Sequence, residues 1–178
     1  MIKLSDWATE EQRQSFERAI AHLKQSEAFR ELWNELYYNE AGEMFIIRIV
    51  DDNTNFDLRN GTTINWNPTR GLIMGDGITI QSAAMGLAHE MGHAAQFLEG
   101  LFTSETSFTD GVRARLEADN LLRFETPIAR QLGEPIRAHY HDHSGFHIMN
   151  NSTHHRIRYN PFWNFRSQHP MTININWR

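Results

Sequence analysis

Residues 82–100 read SAAMGLAHEMGHAAQFLEG, and no other stretch constrains the chain as strongly. Small and apolar residues flank a five-residue centre, HEMGH, at 89–93. Ser82 is a candidate N-cap and Gly100 a candidate stop, so one helix is expected over 82–100. On that helix His89 and His93 lie ~40° apart on one face, one turn along, and Glu90 stands ~100° round from His89. Two imidazoles so placed can share one metal ion. The carboxylate beside them can reach a water on that ion without displacing it.

The same pattern arises by chance in roughly a few per cent of chains with ten histidines in 178 residues, so the flanks carry weight. Their apolar character suits a buried helix, and buried imidazoles and a carboxylate need partners. Ala88, Gly92 and Ala94 leave room for close approach by neighbouring elements. Cysteine is absent, so no disulfide holds the fold and any metal site draws on His, Asp and Glu. Zn2+ is the expected ion, because it accepts imidazole nitrogen at ~2.0–2.1 Å in four-coordinate geometry.

The length suits a single domain over 1–178, with 40% hydrophobic and 22% charged residues. The net charge of −5 and pI of about 6.0 give no basic excess for nucleic acid or an acidic membrane surface. No apolar run approaches the ~20 residues of a bilayer span, so no membrane insertion is expected. The opening MIKLSDWATEEQ lacks the apolar core of a secretory signal, which implies a cytoplasmic protein or export by a route without a cleavable signal peptide.

Along the chain, 6–38 reads as helix, with apolar stripes at Phe16, Ile20 and Leu23 and at Phe29, Leu32, Trp33 and Leu36; Ser26 can cap a second helix. MFIIRIV (44–50) reads as a buried strand and DDNTNFDLRNG as loop. TTINWN (62–67) alternates, with Ile64 and Trp66 on one face, and is placed at a sheet edge. GLIMGDGITI suggests a turn between short strands. A further helix is expected over 111–132, where either Pro127 kinks one long helix or Thr126 caps a new one; Gly133 and Pro135 end it. The tail, 138–178, reads as loops with one or two strands such as MTININW. Helices, a small sheet and more helices make an α+β fold.

Two histidines and a water leave one ligand position. Asp110, Glu117, Asp119, Glu125, Glu134 and the histidines from His139 on are the candidates. Glu117 and Glu125 fall near one helical stripe with Leu121, an odd setting for solvated carboxylates.

HEMGH followed by LEADNLLRFETPIARQLGEPIRAHY resembles the bacterial effector zinc metallopeptidases, zincins delivered by secretion systems or carried as polymorphic-toxin domains. That family shows H-E-x-G-H, an acidic helix, and a segment like E-N-x-x-R-x-E-L-G-x-P-x-R-x-x-Y. Residues 125–140 follow it at Glu125, Leu132, Gly133, Pro135, Arg137 and Tyr140. INWNP resembles the family's strand before the helix. The likeness spans roughly 25–140, and a more distant similarity links the chain to clostridial neurotoxin light chains.

The resemblance implies a zincin-like fold, with a small mixed sheet packed on the HExxH helix. It implies His89, His93 and Glu117 as zinc ligands, Glu90 as general base, and Glu125 orienting a ligand histidine. It implies Arg137 and Tyr140, matching R-x-x-Y, as groups that stabilise the transition state. The sequence departs from the pattern at Thr126, where Asn is usual, and after LEADN, so Glu125 stays open as an alternative third ligand.

HYHDHSGFH (139–147) and the pair at 154–155 read either as a polar loop near the active site or as a second metal site on a strand. GLIMGDG lacks the Lys-Ser/Thr ending of a phosphate loop, and the five tryptophans read as packing residues. The functional expectation is a zinc endopeptidase that cleaves a target protein as a secreted effector or toxin, with an immunity or chaperone protein as possible partner. The alternatives are a zinc hydrolase acting on peptidoglycan peptides and a non-catalytic, zinc-stabilised binding module.

Overall fold

The structure, a computed structural model, describes residues 1–106 and 108–157. The expected strand MTININW, Trp163 and Trp177 lie outside the described residues. The chain opens with a short strand, β1 (Ile2–Leu4), and then helix α1 (Glu10–Leu23), whose Thr9 and Gln12 form a reciprocal capping box. Helix α2 (Glu27–Tyr37) starts where Ser26 Oγ accepts the Phe29 N–H at 3.1 Å, so the long helical stretch read over 6–38 divides at that cap. Phe29, Leu32 and Leu36 form the buried stripe of α2.

Strands β2 (Phe45–Ile49), β3 (Asn55–Phe56) and β4 (Thr63–Trp66) join β1 in a sheet of order β1-β2-β4-β3. β1, β2 and β4 run parallel, and β3 pairs antiparallel with β4. The expected edge strand at 62–67 is therefore interior. Two residues inside the polar run DDNTNFDLRNG pair Asn55 with Asn65 and Phe56 with Ile64, and so take the edge for themselves. A two-residue strand is too short to alternate, and its loop-like neighbours hide it. A second antiparallel sheet has the order β6-β5-β7, from β5 (Arg70–Met74), β6 (Ile80–Gln81) and β7 (His143–Ile148). The predicted turn in GLIMGDGITI joins β5 to β6.

Helix α3 (Ala83–Leu98) carries HEMGH through the middle of the molecule. Ser82 caps it as expected, with Oγ accepting the Met85 N–H at 3.3 Å. The buried carboxylate of Glu134 adds a second cap, accepting Ser82 N–H at 2.9 Å and Ser82 O–H at 2.6 Å. β4 is tied to the same end, since the buried Trp66 indole N–H donates to Ala83 O at 2.8 Å. Ala84, Met85, Leu87, Ala88, Met91, Ala94 and Ala95 of α3 join one core with the stripes of α1 and α2 and the inner faces of β2 and β4. At about 1.5–3 kcal/mol for each large side chain buried, this core holds α3 in place.

Helix α4 (Asp110–Asn120) runs into a π-helical turn at Leu121–Glu125 and then into α5 (Thr126–Leu132). Thr126 does not cap a new helix, the second of the two expected treatments of Pro127. Glu125 and Thr126 both keep right-handed helical dihedrals, so the run continues without a cap. The wider π turn absorbs the ring and the missing N–H that would break a regular helix. The same turn leaves Phe124, Glu125, Ile128 and Ala129 on the buried side. Gly133, at φ +68°, ends α5 in the left-handed region, as the sequence suggested.

Gly92 is required by close approach. A Cβ there would lie 2.4 Å from Asn120 Oδ1 and 2.9 Å from Phe124 Cδ2. Gly92→Ala is expected to cost about 1–3 kcal/mol through this overpacking. Urea unfolding of the two proteins checks it, and an unchanged midpoint would show that Asn120 yields freely. The fold is α+β, a mixed sheet on the HExxH helix with further helices around it. No helix among the described residues is long and apolar enough to cross a membrane.

Candidate metal centre

Side chains from α3, α4, the π turn and the 134–142 segment meet over the HEMGH turn. Their outer partners orient both imidazoles. His89 Nδ1 lies 2.8 Å from Glu125 Oε2, and His93 Nδ1 lies 2.8 Å from Gln96 Oε1. Each oxygen accepts, so each Nδ1 is placed to donate to it. For His89 this is the shorter of two Nδ1 contacts, since Arg137 Nη2 stands 3.1 Å from the same atom. A neutral imidazole so held presents its Nε2 lone pair. The two Nε2 atoms converge on Glu117 Oε2, at 3.2 Å from His89 and 3.4 Å from His93. Among the described residues, His89, His93 and Glu117 are the group whose ligand atoms could hold one ion, all lying within 4.8 Å of one another.

The donor set fits a divalent metal. With both Nε2 atoms unprotonated, buried Glu117 Oε2 faces two lone pairs and has no hydrogen-bond partner among the described residues. A cation between the three atoms satisfies all of them. A proton serves as substitute in the metal-free protein. Burial opposes charge on His89, but its bonds to Glu117 and Glu125 outweigh burial and push its pKa up to about 10. Burial likewise raises Glu117, and the two histidines overcome it and pull the carboxyl down to about 2.

These shifts set a pH window. The raised His89 stabilises the metal-free fold fully below 6.5 and loses that contribution as pH climbs towards about 10. The depressed Glu117 contributes fully above 4.5 and fades as pH falls towards about 2. Chelator-treated protein is thus expected to show its highest Tm contribution from this cluster between those two limits. Metal uptake at neutral pH is expected to release about one proton, from His89. Titration calorimetry in two buffers of different ionisation enthalpy measures the proton count. A count of zero, or a Tm of chelated protein that climbs from pH 7 to 9, contradicts the arrangement.

Glu90 stands outside the ligand group. Its Oε2 accepts the backbone N–H of Phe56 on edge strand β3 at 2.8 Å. Tyr140 packs its ring against His89, with centroids 6.2 Å apart. Burial first, then Glu117 and Glu90, raises its phenol pKa, so the hydroxyl stays a donor at neutral pH. Arg137 is buried and engaged. Nε donates to Glu125 Oε1 at 2.8 Å, Nη2 to Glu125 Oε2, and Nη1 to the Tyr140 carbonyl at 3.3 Å. Burial raises the Glu125 carboxyl, but Arg137 and His89 override it and hold the group well below the usual carboxylate range.

The structure separates the other ligand candidates. Glu125 sits on the outer nitrogen of His89, Glu134 caps α3, Asp119 accepts from Gln96 and Arg123, and Asp110 lies in the first turn of α4. His139 and His141 fall in a turn closed by Asp142 N–H to His139 O at 2.9 Å, which breaks the strand alternation a second metal site needed. Sequence reasoning missed Gln96 and Asn120, whose Nδ2 donates to His89 O at 2.8 Å. The one available signal was Gln96 itself, a polar residue three past His93 on an otherwise apolar helix.

Three cavities meet at this centre. One of about 160 Å3 borders Gly86, Glu90 and Phe146; one of about 180 Å3 borders Phe56, Phe102 and Phe108; one of about 860 Å3 runs along Arg113, Ala118 and Leu122 of α4 and the π turn. Tyr140 lines all three. The model of the M91 peptidase family, described as effector protein, matches residues 4–121, about two-thirds of the chain. The chain belongs to this family. Neither the curated proteins nor the solved structures offer a match. The matched part of this effector peptidase runs from β1 through α4 and holds His89, Glu90, His93 and Glu117. Glu125, Arg137 and Tyr140 lie beyond it. The effector-type metallopeptidase family implies a metal and a protein substrate.

Proposed function

We propose that this effector peptidase is a zinc endopeptidase with His89, His93 and Glu117 as its protein ligands. The observation that carries this reading is the convergence of two outward-held imidazoles on one orphaned carboxylate oxygen. Bound zinc would supply Lewis acidity, polarising the scissile carbonyl and acidifying the attacking water. Glu90 takes the proton from that water and returns it to the leaving amine, with the Phe56 N–H holding one of its oxygens. Tyr140, kept protonated, donates to the developing oxyanion. Arg137 donates to both oxygens of Glu125 and to the Tyr140 carbonyl, and its Nη2 lies 3.1 Å from His89 Nδ1, so it acts as a positioning residue for Glu125, His89 and Tyr140.

The cavities on either side of Glu90 and Tyr140 support an endopeptidase, because a chain can enter along one and leave along another. The sheet edge beside Glu90 is β3, so the substrate lies along that edge rather than along 62–67, with the Phe56 N–H already given to Glu90. A structural-zinc module is disfavoured because it needs a fourth protein ligand, and the ligand group among the described residues has three. As an effector, the protein acts after delivery into a target cell, on a protein of that cell; an immunity or chaperone partner and a single domain over 1–178 belong to the same proposal. Two measurements test it: metal content of the purified protein, expected at one zinc per chain, and capture of new peptide N-termini in a treated target-cell lysate. Protein without zinc, or N-termini that persist with a chelator, sinks the reading.

A further inference from the structure

His93 is held differently from its partner ligand. His89 leans on the charged Glu125, but His93 leans on a neutral amide, Gln96, one turn along the same helix and fully buried. Gln96 faces two ways. Its Oε1 lies 2.8 Å from His93 Nδ1, and its Nε2 donates to Leu116 O and to Asp119 Oδ2, each at 2.8 Å. Leu116 directly precedes Glu117 in α4. One side chain thus spans from the imidazole of a ligand on α3 to the backbone that carries the carboxylate ligand on α4. Both amide hydrogens and the carbonyl oxygen are engaged, and the donors on Nε2 fix the orientation of the amide, because Leu116 O and Asp119 can only accept.

Resting on the metal-centre reading above, we propose that Gln96 is a positioning residue for zinc. It locks His93 with its hydrogen on Nδ1 and sets the spacing between the histidine pair and Glu117. Asp119 completes the device from outside. It accepts from Gln96 and is itself held by Arg123 at 3.2 Å, which also pairs with Glu99 at the end of α3. The joint between α3 and α4 is therefore polar at the metal end and ionic at the surface.

A residue that merely packs would lower the stability of the fold and leave zinc affinity unchanged once folded. A positioning residue moves the affinity itself, by roughly 10–100-fold for an outer partner of a ligand histidine. The test is zinc affinity by chelator competition on folded Gln96→Leu, on Q96E, and on Q96E/D119N. Q96L is expected to weaken zinc binding by roughly 10–100-fold. Q96E keeps an acceptor for Nδ1–H but sets a carboxylate oxygen against both Leu116 O and Asp119. D119N removes the second repulsion only, so the double variant is expected to recover part of the affinity lost in Q96E. Unchanged affinity in folded Q96L, or no recovery in the double variant, overturns the proposal. Should Q96L fail to fold, nitrogen-15 spectra of the zinc-loaded parent decide, with the exchange-protected hydrogen of His93 expected on Nδ1; a hydrogen on Nε2 overturns it. A parent that binds no zinc overturns the metal-centre reading instead, so the two failures are distinguishable.

Discussion

Glu90→Gln is expected to remove turnover, by roughly 10²–10⁴-fold in kcat, while leaving the protein folded and zinc-loaded. The geometry makes this substitution clean. Glu90 is not one of the three converging ligand groups, so the metal keeps its donors. The contact from Phe56 N–H at 2.8 Å can be kept by the oxygen of the new amide, so β3 stays docked on α3. Only the capacity to take up and return a proton is lost. Measurement of kcat on a peptide identified by N-terminal capture, beside zinc content, separates the chemistry from the metal. Cleavage by Glu90→Gln within a few-fold of the parent would remove Glu90 from the role of base and leave the water to be activated by the metal alone.

Glu125→Ala carries the largest expected effect on stability. Glu125 is almost fully buried and bonds Arg137 through both oxygens and His89 through one. Its removal leaves a buried guanidinium without its carboxylate, a loss of about 3–5 kcal/mol where one partner of a buried pair is deleted. It also frees the His89 ring from its outer anchor, with an expected loss of roughly 10–100-fold in zinc affinity. The two effects separate in a double variant. Glu125→Ala with Arg137→Met removes both charges and is expected to recover much of the stability but none of the affinity, because Nδ1 of His89 still lacks its acceptor. Urea unfolding of chelator-treated protein measures the first effect and chelator competition the second. A loss below about 1 kcal/mol in the single variant would mean that solvent reaches Arg137 and replaces the carboxylate.

The elements that sequence alone makes legible are those with a local physical cause. The Ser26, Ser82 and Gly133 boundaries are capping chemistry acting within a few residues, and all three stand in the fold. The α3 run is apolar all round because it is buried all round, and the spacing of His89 and His93 puts them on one face whatever surrounds them. The effector-peptidase family was also legible, from HEMGH and the segment after it. What failed was short or non-local. β3 has two residues and no periodicity, and its effect was to move 62–67 from an edge to the interior. Pro127 posed a choice between one long helix and a new cap at Thr126; the run continues without that cap, through a π turn that propensity does not contain.

The sequence by itself determined that two imidazoles and a carboxylate share one helical turn, because helix geometry needs no neighbours. Only the tertiary structure decided which distant group meets them. Glu117 and Glu125 stand eight residues apart on one helical run, and their spacing alone does not separate them; the family resemblance implies Glu117 as ligand and keeps Glu125 as the alternative. The π turn between them and the packing of that run on α3 send Glu117 to the Nε2 side of the histidines and Glu125 to the Nδ1 side. That division depends on contacts between segments far apart in the chain, and Gln96 and Asn120, which hold the division in place, gain their meaning from partners no local pattern names.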